Sequence, residues 1–245
     1  MATIAGAAIL ITGANRGIGK ALLEEALRRG AAHVYACTRD LFEHEDERVT
    51  ALLMDVTDSE GIEQAAKGVP ALDILVNNAG VAAYDDLADP AVVEYHLAVN
   101  LFGVHCVTQV FLPLLERSRG AIVNNVSVAA LAPLPIIPSY SISKAAAHSL
   151  TQSQRTLFAG RGVCVHAVFT GPTDTEMSRD FDAPKASAAS VASAIFDGVE
   201  TGQEDIFPDA MSRTMAAGWA SGPAKALERE YAAIPTVERP AAPRL

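Results

Sequence analysis

The sequence contains few of the residues that build metal centres, disulfide frameworks or nucleic-acid interfaces. Its three cysteines, Cys37, Cys106 and Cys164, lie in apolar segments without pairing or metal-ligand spacing, which predicts buried, inert thiols in a reducing compartment. Its six histidines are scattered, so we expect no metal site. The net charge is −10, with no cluster of lysine and arginine. Because a phosphate backbone requires a basic surface, no nucleic-acid partner is expected.

Long apolar segments are scarce too. No apolar stretch approaches the ~20 residues that cross a bilayer, and no charged N-terminal region precedes one. The sequence therefore predicts a cytoplasmic protein without a membrane contact or a signal peptide. Only 6% of the residues are aromatic, whereas half are hydrophobic, which favours a core of closely packed helices. We expect one domain over residues 1–234 and a poorly ordered Pro/Ala-rich tail over residues 235–245.

Short apolar runs alternate with helical patterns along the chain. The runs predict strands at residues 7–12, 33–38, 49–55, 72–76, 121–126, 163–169 and 205–207. Helical patterns fall at residues 20–29, 58–67, 90–114, 140–159, 188–199 and 211–233, the last of which Gly222-Pro223 could break, and residues 176–187 have the composition of a mobile lid. This alternation predicts an α/β Rossmann fold, with one doubly wound parallel sheet of about seven strands and helices on both faces. Ligands bind such sheets at the carboxyl ends of the strands.

A glycine-rich turn follows the first strand, with the sequence Gly13-Ala14-Asn15-Arg16-Gly17-Ile18-Gly19. Between a strand and a helix, such a turn lets the backbone approach a phosphate, while the helix N-terminus offers free N–H groups. A Walker-type loop is excluded, because Ala14 and Ala21 stand where it needs Gly and Ser or Thr. Two interpretations of the glycine turn remain, a dinucleotide-binding site and a turn that binds no ligand.

The end of the second strand bears on the choice of dinucleotide. At this position an acid binds the ribose 2′-hydroxyl of NAD, whereas a basic residue accommodates the 2′-phosphate of NADP. The strand ends in Thr38-Arg39, and Asp40 follows one residue too late to be the usual acid. Arg16 in the glycine turn is a second cation on the same side. The pattern favours NADP over NAD, although Arg39 alone could be an ordinary surface residue.

Three further residues suggest acid–base chemistry. Tyr140 and Lys144 lie four residues apart in a predicted helix, so they share one face, and Ser127 follows the fifth strand. A phenol has a pKa near ~10 in water, and a neighbouring ammonium favours the phenolate. The pair could also be part of a solvated helix face. Asn100 interrupts the apolar stripe of the long helix, which indicates either a structural hydrogen bond or a group near a site.

These motifs, in this order and spacing, resemble those of the short-chain dehydrogenase/reductase family over roughly residues 5–207. They are Thr12-Gly13-x-x-x-Gly17-x-Gly19, Asp55-Val56, Asn77-Asn78-Ala79-Gly80, Asn100, Ser127, Tyr140-x-x-x-Lys144 and Gly171-Pro172-x-x-Thr175. The resemblance implies that Tyr140 is the acid and base at the substrate oxygen and that Ser127 orients that oxygen. It implies that Lys144 binds the nicotinamide ribose and lowers the pKa of Tyr140. Asn100 would position Lys144 through a water and carry a proton relay.

The resemblance also implies which residues contact the dinucleotide, and that the protein is a homodimer or homotetramer. The implied contacts are Gly13, Asn15, Arg16, Gly17, Ile18, Gly19, Thr38, Arg39, Asp55, Val56, Asn77, Ala79, Gly80, Tyr140, Lys144, Gly171, Thr173 and Thr175. Asp55 should meet the adenine amine and Thr175 the carboxamide. One residue departs from the family pattern, because Thr170 stands where a proline usually precedes Gly171. We expect cofactor binding to survive this change and the loop near the nicotinamide to differ.

The expected activity is that of an NADP-dependent carbonyl reductase or alcohol dehydrogenase, with NAD as the second choice. The proline-broken segment 131–138 is too apolar to be well solvated, so we expect it to line a pocket for an apolar ketone or hydroxysteroid-like small molecule. The candidate wall residues, half of which could be ordinary core residues, are Val81, Tyr84, Ala129, Leu131, Leu134, Ile136, Met177 and Phe181. Imine or C=C reduction on the same fold, or a catalytically idle NADP-binding sensor, are the alternatives.

Overall fold

A computed structural model describes residues 2–40 and 42–234, so the predicted tail at 235–245 lies outside the described residues. The strands are β1 (Ala8–Thr12), β2 (His33–Thr38), β3 (Val49–Leu53), β4 (Ile74–Asn77), β5 (Ala121–Asn125), β6 (Cys164–Val168), β7 (Thr173–Asp174), β8 (Ala186–Ser187) and β9 (Asp205–Ile206). The helices are α1 (Gly17–Arg28), α2 (Ser59–Ala66), α3 (Pro90–Leu97), α4 (Val104–Ser118), α5 (Pro138–Ala159), α6 (Ala188–Glu200), α7 (Ala210–Ala220) and α8 (Pro223–Ala232).

Seven of these strands form one parallel sheet in the order β3-β2-β1-β4-β5-β6-β9. The strand order reverses between β1 and β4, so the connections on either side of this pair run in opposite directions. In doubly wound sheets, the crevice at such a reversal holds the ligand. The prediction of a Rossmann fold with a parallel sheet of about seven strands is confirmed.

Side chains from both faces of the sheet are buried. Along β1, Ile9 and Ile11 join a cluster with Leu22 of α1 and Phe196 of α6. Leu10, between them, belongs to a second cluster on the other face, where α2, α4 and α5 pack. Because successive strand residues point to opposite faces, a strand covered on both sides is an unbroken apolar run. This is why the strands could be located from the sequence.

The predicted long helix is continuous from Pro90 to Ser118, 29 residues, and its centre, Ala98–Gly103, is a π-helical segment. By length and composition alone, the helix from Pro90 to Ser118 could cross a bilayer. The expectation that no apolar stretch approaches ~20 residues was therefore wrong. Asp89 caps its N-terminus, with Pro90 in the first turn. Val107 and Phe111 are fully buried in the second cluster, as in the core helix of a globular domain.

Other differences from the sequence predictions are local. The lid is not wholly irregular: Glu176–Ser178 form a 3-10 turn, and β8 pairs with β7. The predicted C-terminal helix is divided at Gly222-Pro223 into α7 and α8. Of the three cysteines, only Cys37 is buried, whereas Cys106 is half-buried and Cys164 is exposed. Cys164 is exposed as the first residue of β6, so the prediction of three buried thiols was wrong.

Candidate active site

The glycine turn lies at the carboxyl end of β1. Gly17 has φ +54°, in the left-handed region that favours glycine, and a Cβ at Gly19 would lie 2.0 Å from the Gly13 carbonyl oxygen. α1 begins at Gly17, and Arg16 at its N-cap makes no side-chain capping bond among the described residues. The first N–H groups of α1 are therefore free of side-chain caps at the positive end of the helix dipole. This backbone cradle suits a pyrophosphate.

The ends of β1 and β4 are fastened to each other. The Thr12 hydroxyl oxygen accepts hydrogen bonds from the backbone N–H groups of Asn78 and Ala79, both at 2.9 Å. The Asn78 side chain donates back to the Thr12 carbonyl at 3.0 Å. These bonds bring Ala79 against the glycine turn, where its Cα lies 3.1 Å from the position of a Cβ on Gly13. Asn78 was not among the predicted contacts with the dinucleotide. Its side-chain amide ties the end of β4 to the end of β1.

Asn77 is turned the other way. It is the last residue of β4, and its side chain donates to Thr108 of α4 at 3.1 Å and to Asn124 of β5 at 2.8 Å. The side chain is 3% exposed and lies in the core. The Asn77 side chain thus faces the core, because strand residues alternate between the faces of the sheet, and the predicted contact of Asn77 with the dinucleotide stays a prediction.

The adenosine side of the cleft contains the predicted arginines and acid. Arg39 is exposed just past β2, and its charge acts on the half-buried Asp55. Burial raises the pKa of Asp55, but two hydrogen bonds from Thr57, together with Arg39, outweigh it and hold that pKa below its usual value. Arg16 does not pair with Asp55. Its guanidinium instead binds Glu176 of the lid at 2.8 Å, and both of these side chains are largely exposed. The lid therefore reaches the glycine turn, and Thr175 packs within 3.3 Å of the Cβ position of Gly17.

Lys144, Tyr140 and Ser127 meet at the ends of β4, β5 and β6. Lys144 is 5% exposed, and its Nζ donates to the Asn125 carbonyl at 2.8 Å and lies 5.7 Å from the centre of the Tyr140 ring. Ser127, 6% exposed, donates to the Thr170 carbonyl at 3.3 Å. A Cβ on Gly80 would lie 3.6 Å from Lys144 Nζ, so the end of β4 lies directly beside the ammonium. The prediction that these residues share one site agrees with their positions.

In the protein without a ligand, burial shifts the pKa values of both Lys144 and Tyr140. It lowers the pKa of Lys144 to about 8. It raises the pKa of Tyr140, and a hydrogen bond with Ser127 offsets only part of the rise. The expected lowering of the Tyr140 pKa by Lys144 is therefore not seen here, because the desolvation of the phenol is the larger effect.

Asn100 is fully buried in the π segment and is held by three bonds. Its amide forms a two-way pair with the backbone of Val81, with both distances 2.9 Å, and it donates to the Ser143 hydroxyl at 2.9 Å. The Ser143 hydroxyl in turn donates to the Tyr140 carbonyl at 2.7 Å. Asn100 is thus connected to Tyr140 through Ser143, a residue that the sequence predictions missed. A serine in the interior of a helix was the available signal, since its hydroxyl must find a partner.

The substrate side is formed by loops that are fixed at their bases. Asp85 accepts from the Ser139 hydroxyl at 2.7 Å and donates its own N–H to the Ile136 carbonyl at 3.3 Å. Leu87, two residues on, has φ +66°, a strained conformation of the kind that collects at functional sites. His96 is fully buried, accepts from the Ala83 N–H at 3.1 Å and lies edge-on to the Tyr140 ring. Asp85, Ser139 and His96 were not predicted, because their partners are distant in sequence.

The predicted wall residues are half-buried or exposed, and none belongs to the buried core. The half-buried ones are Val81, Ala129, Leu131, Leu134 and Phe181, and the exposed ones are Tyr84, Ile136 and Met177. The alternative that half of them are core residues is therefore wrong. Exposed apolar side chains on these loops are the kind of surface that can bind an apolar molecule.

Comparisons with known proteins agree with this arrangement. A family model of short chain dehydrogenases matches residues 7–186. The 2-(S)-hydroxypropyl-CoM dehydrogenase 3 of Xanthobacter autotrophicus is 36% identical over 190 residues, 70% of this chain and 73% of that protein. Estradiol 17-beta-dehydrogenase 2 of Rattus norvegicus is 34% identical over 187 residues, 69% of this chain and 49% of that protein, about half its length. The crystal structure of a short chain dehydrogenase from Burkholderia cenocepacia in complex with NADP has a TM-score of 0.83 and 35% identity, and the match covers 93% of this chain and 98% of the other.

Proposed function

The chain belongs to the short-chain dehydrogenase family of oxidoreductases, and from this membership we propose that it is an NADP-dependent enzyme that interconverts a carbonyl compound and its secondary alcohol. The observation that supports this most is the convergence of Ser127, Tyr140 and Lys144 beside the glycine turn. A catalytically idle NADP-binding sensor could use Lys144 to bind the cofactor, but it would have no need for the Tyr140 phenol and the Ser127 hydroxyl beside it. The convergence therefore favours an enzyme.

The chain offers a fitting cradle for the dinucleotide. The uncapped start of α1 would hold the pyrophosphate, Lys144 the nicotinamide ribose, and Thr175 the carboxamide. Arg39 would bind a 2′-phosphate, since no acid occupies the end of β2. The solved relative from Burkholderia cenocepacia contains NADP, which supports the same preference here, with NAD as the second choice.

The residues of the chain would handle the proton and the oxygen. A bound nicotinamide would supply or accept the hydride at the carbonyl carbon. The Tyr140 phenol would donate its proton to the carbonyl oxygen during reduction and recover it during oxidation. Ser127 would turn its hydroxyl proton from the Thr170 carbonyl to the same oxygen and fix its direction. The Lys144 ammonium, close to the ring, would stabilise the phenolate that remains.

The substrate proposed for this site is an apolar ketone or hydroxysteroid-like alcohol. Tyr84, Ile136 and Met177, from the predicted wall, expose large apolar surfaces. The rat relative is named an estradiol dehydrogenase, which is consistent with such a molecule. Imine or C=C reduction would use the same arrangement and is the alternative reaction.

The test is a substrate panel with purified protein, read at the nicotinamide absorbance. Apolar ketones, imines, activated alkenes and secondary alcohols are each offered with NADPH or NADP, and again with NADH or NAD. We expect turnover of apolar ketones and alcohols, with NADP preferred. Turnover of imines or alkenes alone would move the reaction to the alternative. Tight NADPH binding without turnover of any class would favour the sensor.

A further inference from the structure

Thr170 lies where the sequence departs from the family pattern, and its side chain has a specific partner. The residue follows β6 and is 8% exposed. Its hydroxyl donates to the side-chain oxygen of Asn125, at the end of β5, at 2.7 Å. A proline at this position has no side-chain donor, so this bond exists only because of the threonine.

The bond starts a chain of side-chain hydrogen bonds that crosses the floor of the cleft. The Asn125 amide nitrogen donates to the Asn78 side-chain oxygen at 3.1 Å. The Asn78 amide nitrogen donates in turn to the Thr12 carbonyl at 3.0 Å. Each amide has one accepting and one donating end. The Thr12 carbonyl can only accept, so it sets the direction of the chain, and the Asn125 side-chain oxygen is left to accept from the Thr170 hydroxyl.

Both ends of this chain reach residues of the proposed reaction. The backbone carbonyl of Asn125 accepts from Lys144 Nζ at 2.8 Å. The backbone carbonyl of Thr170 accepts from the Ser127 hydroxyl at 3.3 Å. At the far end, Thr12 leads directly into the glycine turn. A movement of Asn125 or Thr170 would thus move the anchor of Lys144, the partner of Ser127, or both.

The loop of Thr170 is held from behind as well. Asp209, 3% exposed, accepts from the Gly171 N–H at 2.7 Å and from the Ser212 N–H at 2.9 Å. The loop backbone therefore has its own anchor at Gly171, so the loss of the Thr170 hydroxyl acts first on Asn125.

We propose that Thr170 is a positioning residue, whose hydroxyl fixes Asn125 and through it the places of Lys144 and Ser127 relative to the glycine turn. This role rests on the proposed function. Replacing the hydroxyl by a methyl group leaves the half-buried Asn125 oxygen without the Thr170 donor, which is unfavourable. Asn125 then moves toward another donor for this oxygen, and Lys144 and Ser127 shift with it by fractions of an ångström. Such shifts reduce turnover, whereas the backbone cradle for the dinucleotide stays intact.

The test compares Thr170→Val, which keeps the shape, with Thr170→Ser, which keeps the hydroxyl, and with Asn125→Ala, which removes the same bond from the other side. For Thr170→Val we expect kcat to fall about tenfold, the KM for NADPH to stay within about twofold, and the pH profile of kcat to shift. Thr170→Ser should restore the wild-type profile. Asn125→Ala also removes the bond to Asn78, so it should lose at least as much as Thr170→Val, and the double variant should lose no more than Asn125→Ala alone.

Two outcomes would overturn the proposal. One is a folded Thr170→Val protein with the wild-type kcat and pH profile. The other is losses in the two single variants that multiply in the double variant, since independent effects add in free energy. If circular dichroism shows that Thr170→Val is unfolded, the kcat and pH profile of Asn125→Ala are compared with those of Thr170→Ser instead.

A readout without substrate separates this proposal from the proposed function. The titration of Lys144 in the ligand-free protein, followed by the pH dependence of unfolding, should differ between wild type and Thr170→Val. Suppose that the wild type is inactive on the whole panel, but that the Lys144 titration differs between wild type and Thr170→Val. This result rejects the proposed function alone. An active wild type whose Lys144 titration and kcat are both unmoved by the variant rejects the role of Thr170 alone.

Discussion

On the cofactor side of Lys144, backbone groups and buried amides fasten each loop to its neighbour, whereas on the substrate side apolar side chains extend from loops that are fixed only at their bases. Thr12, Asn78 and Ala79 illustrate the first region, with three bonds of about 3 Å between the ends of two strands. Tyr84 and Met177 illustrate the second, with 61% and 56% of their surfaces exposed. Backbone geometry tolerates little change, and exposed side chains tolerate much. The difference indicates a fixed hydride and proton chemistry joined to an adaptable choice of substrate.

The largest expected effect comes from the residue at the boundary of the two regions. Tyr140→Phe removes the only hydroxyl of that ring and with it the proton donor and acceptor. We expect kcat to fall by about 10²–10⁴-fold, the usual contribution of general acid–base catalysis, and NADPH to bind as before. Steady-state kinetics and NADPH fluorescence measure the two quantities. Near-full activity in the variant would reject the role of Tyr140, and lost NADPH binding would show that the two regions are not separable.

Lys144 provides a test of stability on the cofactor side. Its pKa is about 8 in the folded protein against 10.5 ordinarily. Between these values the unfolded chain holds more protons than the folded one, so the unfolding free energy of the wild type should rise with pH from about 8 to 10.5. The full change is at most about 3 kcal/mol, at 1.36 kcal/mol for each pKa unit.

Lys144→Met should abolish this rise, because it removes the titrating group and nothing else that ionises. The measurement is urea unfolding of the ligand-free wild type and variant at intervals from pH 7 to 10. The difference between the two unfolding free energies should change across this range. A difference that stays constant with pH would show that the Lys144 ammonium is not destabilised by burial.

Arg39→Asp tests cofactor choice while leaving the substrate side untouched. The change removes the cation proposed for the 2′-phosphate and places an acid where one binds a ribose hydroxyl. A hydrogen bond to a charged group contributes about 1.5–3 kcal/mol, so the preference for NADPH over NADH should fall by roughly 10–100-fold. Ratios of kcat/KM for the two cofactors measure it, with Arg179, an exposed lid residue, changed to Ala as the control. If the ratio of kcat/KM for NADPH and NADH is unchanged, Arg39 is not the cause of the preference for NADPH.

The smallest effect is expected where the lid reaches across between the regions. Arg16 and Glu176 form an exposed ion pair, and such pairs contribute about 0–1 kcal/mol. Glu176→Gln should therefore speed NADPH dissociation by no more than about fivefold at low salt, and the difference should vanish at high salt. Stopped-flow displacement at two ionic strengths measures it. Slower dissociation in the variant would mean that Glu176 repels the dinucleotide rather than closing the lid.

The two regions also differ in how far the sequence could predict them. The strands and the glycine turn leave apolar runs and glycines at defined places, so the sheet and the cradle could be derived. Asn77 and Asn78 show the limit, because one residue at a strand end decides between core and cleft, and the predicted end of β4 was one residue short. Asn125 acts on Lys144 through its backbone carbonyl, which every residue has, so no side-chain signal marks it.

The substrate side was predicted as a set of residues but not as a structure. Its loops depend on pairs such as Asp85 with Ser139, which are 54 residues apart, and single-sequence patterns do not report such pairs. The raised pKa of Tyr140 in the protein alone was not predicted, for a related reason. Desolvation depends on everything packed around the ring, whereas the sequence showed only the nearby lysine.

The π segment at Ala98–Gly103 has a consequence for insertions and deletions. A π turn contains one residue more than the α turn it replaces, so α3 and α4 are out of phase with a single uninterrupted α-helix. Deleting one residue here would let the helix continue smoothly while rotating α3 against α4 by about 100°. Asn100 would then leave the backbone of Val81, which it now pairs with in both directions. A deletion that an alignment would score as a harmless gap within a helix would thus disconnect the cleft from the helix that supports it.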